Sequence, residues 1–275
     1  MTRALCITDR RYLRQVMPGA MVEALRARGA TVEVLVPSDC RFEPASGEVT
    51  RSDGPAVDLR GFDVVVCRSR GPLGLAILAY AEAAGLPTVN RYTATRAVRD
   101  KVEMAITLGQ AGLPCAATYL TDHVASLAEL PAGSFPLILK ATFGDNSQGL
   151  RLVRRPEDLH DVHWGEDVVV AQHYVPNDGF DLKLYVCGPR VFAVRKPSPF
   201  NGDPRAPTTA VRTDRRLAEL ALRCGEVFGL EVYGVDTVDT PDGPVVIEVN
   251  EFPNFTGVAD AGALVADHVL SKARR

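Results

Sequence analysis

The chain lacks any run of apolar residues long enough to cross a bilayer, and residues 1–9 lack the apolar stretch and small-residue cleavage site of a secretory signal. Membrane-spanning roles are therefore not expected, and cytoplasmic residence is the default expectation. Paired cysteines are also missing. Cys6, Cys40, Cys67, Cys115, Cys187 and Cys224 stand singly, mostly in apolar runs, with no CxxC step or histidine-rich segment of the kind zinc sites use. They read as reduced core thiols. Neither sign of charge dominates: 31 basic and 34 acidic residues are spread along the chain for a net −3. No basic tract is present to hold nucleic acid, so any handling of phosphate must be local. No GxGxxG follows the first strand-like run, which excludes a Rossmann dinucleotide site. Internal repeats and low-complexity linkers are absent as well.

What is present is apolar mass. With 275 residues and 46% hydrophobic content, the chain can bury a large core as one body or a few small domains. Residues 4–8 form a short apolar run, 19–28 have helical periodicity, 31–37 and 63–68 are strand-like, 74–84 form an alanine-rich helix stopped by Gly85, and 88–90 read as a strand. This alternation predicts a parallel α/β domain. Further on, the pattern predicts a helix over 94–111 and strands over 117–121, 136–141, 150–154, 168–173, 180–186 and 190–195, with a polar loop over 142–149 and a Pro-rich loop over 197–207. A helix over 214–228, strands over 231–237 and 245–249 and a closing helix over 261–273 complete the chain. The expected division is 1–95, 96–175 and 176–275.

Strand periodicity puts Glu248 and Asn250 on one face, and Asp236 on the preceding strand can reach that face across the pair. Three converging oxygen-bearing side chains with open positions suit Mg²⁺, which takes few protein ligands. The plainer alternative is that one or two of them cap turns, as Asp242-Gly243 does between the two strands. Lys140 ends an apolar strand, where an unpaired ammonium is costly unless an anion meets it. Its alternative, like that of Lys101, is ordinary solvated surface.

Residues 245–258, Val-Val-Ile-Glu-Val-Asn-Glu-Phe-Pro-Asn-Phe-Thr-Gly-Val, resemble the metal-binding end of the ATP-grasp superfamily, where a strand ends in Glu-x-Asn before a Pro-containing turn. The twelve-residue step from Asp236 to Glu248 is similar to the branch of the ribosomal-protein glutamate ligase and the glutathione-synthase-like amino-acid ligases. Arg99-Asp100-Lys101, the strand ending at Lys140 and Gln172-His173-Tyr174-Val175 fall in the family's order. The resemblance implies an α/β (α+β) ATP-grasp fold: an N-terminal parallel domain and two antiparallel sheet subdomains that clasp ATP. It implies that Lys101 and Lys140 contact phosphates, and that a loop with Gly144, Ser147, Gln148 and Gly149 closes over them through backbone N–H groups. Gln172, His173, Tyr174 and Val175 would lie beside adenine, and Asp181 near the ribose or phosphates. Asp236, Glu248 and Asn250 would hold Mg²⁺, with Mn²⁺ tolerated.

His173 stands where this branch commonly has Glu, and Lys183 where its ligases usually carry Arg. Lys183 would then stabilise a transferring phosphoryl group as a point charge. Arg195 and Arg212 are candidates to hold anionic groups of the acceptor, or else are solvated charges. The implied reaction joins a carboxylate, on a small molecule or peptide, to an amine through an acyl phosphate. The resemblance allows a homo-oligomer and implies neither nucleic acid nor membrane as partner. Residues 195–200 and 252–258 also resemble inositol-phosphate kinases of the same superfamily. The alternative is accordingly a kinase acting on a polyol or inositol phosphate, with Arg195, Lys196, Arg205 and Arg212 as its cations. A nucleotide-binding module without turnover is a third reading, against which the complete Asp-Glu-Asn set argues. The acceptor pocket can draw on Arg10-Arg11 or Arg68-Ser69-Arg70, segments that could equally be surface turns.

Overall fold

The computed structural model describes residues 1–52, 54–143 and 149–273. The apolar strand β1 (Arg3–Thr8) leads through α1 (Val16–Ala27) to β2 (Thr31–Leu35), and the returning helix lets β1 and β2 pair in parallel. A small antiparallel sheet follows, formed by β3 (Cys40–Glu43), β4 (Glu48–Arg51) and β5 (Val57–Asp58). None of these strands is expected from the sequence, because strands of two to four residues are too short to display a period. Then β6 (Val64–Arg68), α2 (Pro72–Ala83) and β7 (Thr88–Val89) complete a parallel sheet in the order β2-β1-β6-β7.

The helix expected over 94–111 is in fact two, α3 (Tyr92–Arg99) and α4 (Lys101–Gln110). Asp100 between them is extended, with φ −84° and ψ 107°, and its carboxylate accepts from the N–H groups of Val102 and Glu103. An aspartate with glutamate three residues on is a start signal, and satisfying the free N–H groups of a new helix wins over continuing the old one.

Two antiparallel sheets follow. In the first, β8 (Thr118–Thr121), β9 (Leu137–Ala141), β10 (Arg151–Val153) and β11 (Val169–His173) lie in the order β10-β9-β11-β8. The second contains β12 (Phe180–Cys187), β13 (Arg190–Pro197) and β14 (Thr209–Val211), then, after α5 (Arg215–Phe228), β15 (Val232–Thr240) and β16 (Gly243–Glu251). Its order is β14-β13-β12-β15-β16. The unexpected strand β14 has three residues and follows the Pro-rich loop. Helix α5 is capped by Asp214 and stopped by Gly229 at φ 72°, a left-handed residue that glycine adopts without a side-chain clash.

The two faces of this last sheet are covered differently. Leu217, Leu220, Ala221 and Cys224 of α5 pack with Leu184, Val186 and Val235. A separate core joins Tyr185, Cys187 and Val232 to Val265 and Val269 of α6 (Ala261–Lys272) and to Met17, Met21, Val22 and Leu25 of α1. Just after β7, buried Asn90 ties this sheet to the parallel one. It accepts from the N–H groups of Glu231 and Val232 at 2.8 and 2.9 Å and donates to the Val232 carbonyl at 2.7 Å. Asn90→Ala removes the partner of the Glu231 and Val232 N–H groups, while the Val232 carbonyl keeps the Phe252 N–H at 3.0 Å. The substitution is expected to cost about 2–4 kcal/mol, read from denaturant or thermal melts beside the wild type. No helix among the described residues is long and apolar enough to cross a membrane, and all six cysteines are free.

Candidate active site

A cavity of about 630 Å³ opens between the end of β6, the end of α3 and the sheet of β12, β15 and β16. Partners across an antiparallel pair share a face. Lys183 pairs with Asp236 and Asp236 with Glu248, so the three side chains project together, with Asn250 two residues beyond. The Lys183 Nζ lies 2.9 Å from Asp236 Oδ1, and Asn250 Nδ2 donates to Asp236 Oδ2 at 2.8 Å. Past Asp236 the register slips: Thr237 pairs with Val246, and Ile247 has no partner in the ladder. This bulge leaves the Ile247 carbonyl for Gln172, whose Nε2 donates to it at 3.1 Å and so ties β11 to β16.

Gln172 also accepts, through Oε1, from Lys140 Nζ at 2.7 Å. Lys140 is only 4% exposed. Burial lowers its pKa, with Glu248 acting the other way and Lys101 reinforcing the drop. Lys101, 6% exposed, places Nζ 3.6 Å from Glu248 Oε1. The break at Asp100 makes this possible: Arg99 closes one helix and reaches Glu251 at 2.7 Å, while Lys101 opens the next and turns to Glu248. At Lys183 burial is the largest influence and opposes the charge, but Asp236, Tyr185 and Glu248 together outweigh it and the pKa is raised. Asp181 shares the face of Lys183, and its Oδ1 accepts from Asn177 Nδ2 at 2.7 Å. Burial, then the charge of Asp236, pushes its pKa up to about 6.

A smaller cavity of about 100 Å³ is lined by Lys140, Gln172, His173, Tyr174, Val175, Asp181 and Phe200. Tyr174 meets Phe200 edge-on at 5.8 Å, and His173 Nδ1 lies 3.0 Å from the Ser134 carbonyl oxygen. Asp181, Asp236 and Glu248 line both cavities, which therefore meet at these carboxylates.

Other expected residues are placed elsewhere. Arg195 pairs with Leu182, on the face of β12 opposite Asp181 and Lys183, where it lies 4.2 Å from the centre of the Phe180 ring and forms an ion pair with Asp178. Arg212 is exposed, and neither arginine lines either of these two cavities. Lys196 instead pairs with Asp181 and lines the larger cavity. Gly149, at φ 75°, lines neither cavity, and Gly144, Ser147 and Gln148 lie outside the described residues. Arg10 is exposed beside Asp39, whereas Tyr12, Gln15, Arg68 and Arg70 line the larger cavity. Glu251 is not among the site residues expected from the sequence: its partner Arg99 is 152 positions away, and no local pattern joins the two.

The donor set fits a hard divalent cation. Two carboxylates and an amide share one face, and the Asp236 and Glu248 side chains are 30% and 25% exposed while Lys101 and Lys140 beside them are buried. Among the described residues no three His, Cys, Asp or Glu side chains gather closely enough to hold a metal. Two carboxylates and an amide leave positions for phosphate oxygens and water.

Comparison with known proteins gives the family and the fold. The family model of the RimK-like ATP-grasp domain matches residues 98–272. A Thioalkalivibrio sulfidiphilus protein named probable alpha-L-glutamate ligase is 29% identical over 269 residues, covering 91% of this chain and 89% of that protein. The crystal structure of a RimK domain ATP-grasp protein from Sphaerobacter thermophilus superposes with a TM-score of 0.76 at 24% identity, covering 98% of this chain and 100% of the other. A Chryseobacterium gregarium RiPP-associated ATP-grasp ligase, in complex with ADP and a leader and core peptide, gives 0.75 at 15% identity over 100% and 98%. At these identities the structural likeness establishes the fold, which is that of ATP-grasp ligases.

Proposed function

We propose that this chain, which belongs to the RimK-like ATP-grasp family, joins the carboxylate of an amino acid or peptide to the amine of another. It is an ATP-dependent ligase that forms a carbon–nitrogen bond. The observation that carries the assignment of roles is the convergence of Lys101, Lys140 and Lys183 on Asp236, Glu248 and Asn250 where the two cavities meet. In this reading the smaller cavity takes the nucleotide, with Gln172 to Val175 beside the base and Asp181 toward the ribose and phosphates. Asp236, Glu248 and Asn250 would hold Mg²⁺, which supplies neutralisation of phosphate charge, and Mn²⁺ would be tolerated.

Lys140 and Lys101 orient and neutralise the phosphates from buried positions, and Lys183 adds a point charge at the reacting end. The γ-phosphoryl passes to an oxygen of the substrate carboxylate as its bond to the bridging oxygen breaks and ADP leaves with the electron pair, and positioning and electrostatics supply most of the acceleration. An amine then attacks the carbonyl carbon of the acyl phosphate. The carbon–oxygen bond breaks, and inorganic phosphate leaves with the electron pair. No protein side chain forms a covalent intermediate. One relative is named a glutamate ligase and one structural neighbour holds a peptide, so L-glutamate and peptides with a free carboxyl terminus are the first substrates to test.

The kinase alternative needs several cations around the acceptor. Of Arg195, Lys196, Arg205 and Arg212, Lys196 alone lines the larger cavity; Arg205 and Arg212 are exposed and Arg195 faces away. Among the other cations lining that cavity, Arg70 and Arg99 pair with Glu251 and Lys183 with Asp236. ATP labelled at the γ-phosphate separates the two chemistries. The ligase is expected to release label as free phosphate, one for each amide formed, and hydroxylamine is expected to intercept the acyl phosphate as a hydroxamate. Label retained in a stable phosphate ester, with neither amide nor hydroxamate, would overturn the ligase reading.

A further inference from the structure

Arg68 ends β6 and forms part of the wall of the larger cavity. Its guanidinium is fixed from three directions. Nε donates to the Phe252 carbonyl at 3.2 Å, Nη1 to the Met17 carbonyl, and Nη2 to Gln15 Oε1 at 2.8 Å. The group also lies 4.5 Å from the centre of the Tyr12 ring. Every one of these acceptors is neutral, and among the described residues Arg68 forms no ion pair. The carboxylate that acts on it, Glu251, is already engaged by Arg99 at 2.7 Å and Arg70 at 3.5 Å. Burial lowers the Arg68 pKa, as expected for a desolvated charge without a counter-ion.

An arginine has five N–H donors, and three are used here. A cation held rigidly, partly dehydrated and uncompensated beside a cavity is costly to the free protein, and an anion entering that cavity relieves the cost. The planar fork suits the two oxygens of a carboxylate better than a single atom. In the ligase reading, on which this inference rests, the reacting carboxylate meets the phosphoryl group near Asp236 and Glu248. The part of the cavity walled by β6 is left for the amine-bearing substrate. We propose that Arg68 binds a non-reacting carboxylate of that amine-bearing substrate, which makes the substrate an amino acid or peptide with a spare negative charge rather than a simple amine.

The test measures kcat/KM for amide formation with L-glutamate, with L-glutamine, which lacks the side-chain charge, and with the α-amide of L-glutamate, which lacks the α-carboxylate. Wild type, Arg68→Lys and Arg68→Met are compared. In the wild type one of the two amides is expected to be used about 100-fold less well than L-glutamate, and in Arg68→Met that ratio is expected to collapse to within about threefold. Arg68→Lys is expected to keep part of the preference, because it keeps the charge without the fork. If all rates fall together in Arg68→Met at an unchanged ratio, Arg68 is only a strut between β6, Met17 and Phe252 and the proposal is overturned. A wild type indifferent to the missing carboxylates overturns it too. A wild type that yields neither amide nor hydroxamate removes the ligase reading itself, and this proposal with it.

Discussion

Replacing Glu248 with alanine is expected to lower kcat at least ~10³-fold while the far-UV circular dichroism stays that of the wild type. The side chain is a quarter exposed to the cavity and contributes to none of the apolar cores. It forms an ion pair with Lys101 at 3.6 Å, so the structural loss centres on that one contact, about 1–2 kcal/mol. The functional loss is larger, because the same carboxylate is proposed both to ligate Mg²⁺ and to set the charge around Lys101 and Lys140. Asp236→Asn is expected to lose turnover similarly, with partial recovery in Mn²⁺. Circular dichroism and turnover have to be measured on the same preparations. Wild-type turnover by the Glu248 variant at saturating Mg²⁺ would remove Glu248 from the catalytic site.

Lys140→Ala is expected to weaken binding of a non-hydrolysable ATP analogue about 100-fold, as loss of one partner of a buried charge contact does. Lys140 is buried among Gln172, Glu248 and Lys101, so no water replaces the lost ammonium without cost. The comparison is Lys272→Ala. That lysine is 42% exposed and reaches Glu231 at 2.7 Å, an exposed-side pair worth at most about 1 kcal/mol to stability and nothing to the nucleotide. Calorimetry on both variants decides the matter, and equal affinity in Lys140→Ala and wild type would return Lys140 to a structural role. The lowered Lys140 pKa adds a sign: its charge is lost at a lower pH than that of an ordinary lysine. Analogue binding in the wild type should therefore weaken earlier as the solution becomes alkaline.

The carboxylate pair was legible in the sequence because its geometry is local. Asp236 and Glu248 belong to one hairpin, and a period of two is enough to put Glu248 and Asn250 on one face. Arg195 was misplaced for a reason of the same kind. Cys187 pairs with Arg190 across a two-residue turn, which fixes the register so that residue 181 faces 196 and residue 182 faces 195. Once Asp181 and Lys183 are placed in the cavity, Lys196 is the cation that joins them and Arg195 must face away. The break at Asp100 was likewise readable as an N-cap, but helical residues on both sides concealed it. Nothing local could reveal the arginine wall. Arg68 meets Phe252 across 184 positions and Arg99 meets Glu251 across 152, and pairings so distant exist only once the sheets are stacked.

The core shared by α1 and α6 imposes an order of assembly. Synthesis delivers Met17, Met21, Val22 and Leu25 long before Val265 and Val269, which cover them. The face of the parallel sheet that carries α1 thus cannot be fully covered until α6 has been made. The same delay applies to chemistry, because the wall built by Gln15, Met17 and Arg68 takes its remaining support from Phe252. A nascent chain stalled before β16 holds Lys101, Lys140 and Lys183 but lacks Glu248, Asn250 and the Phe252 carbonyl that seats Arg68, so under the proposed roles it would not yet consume ATP.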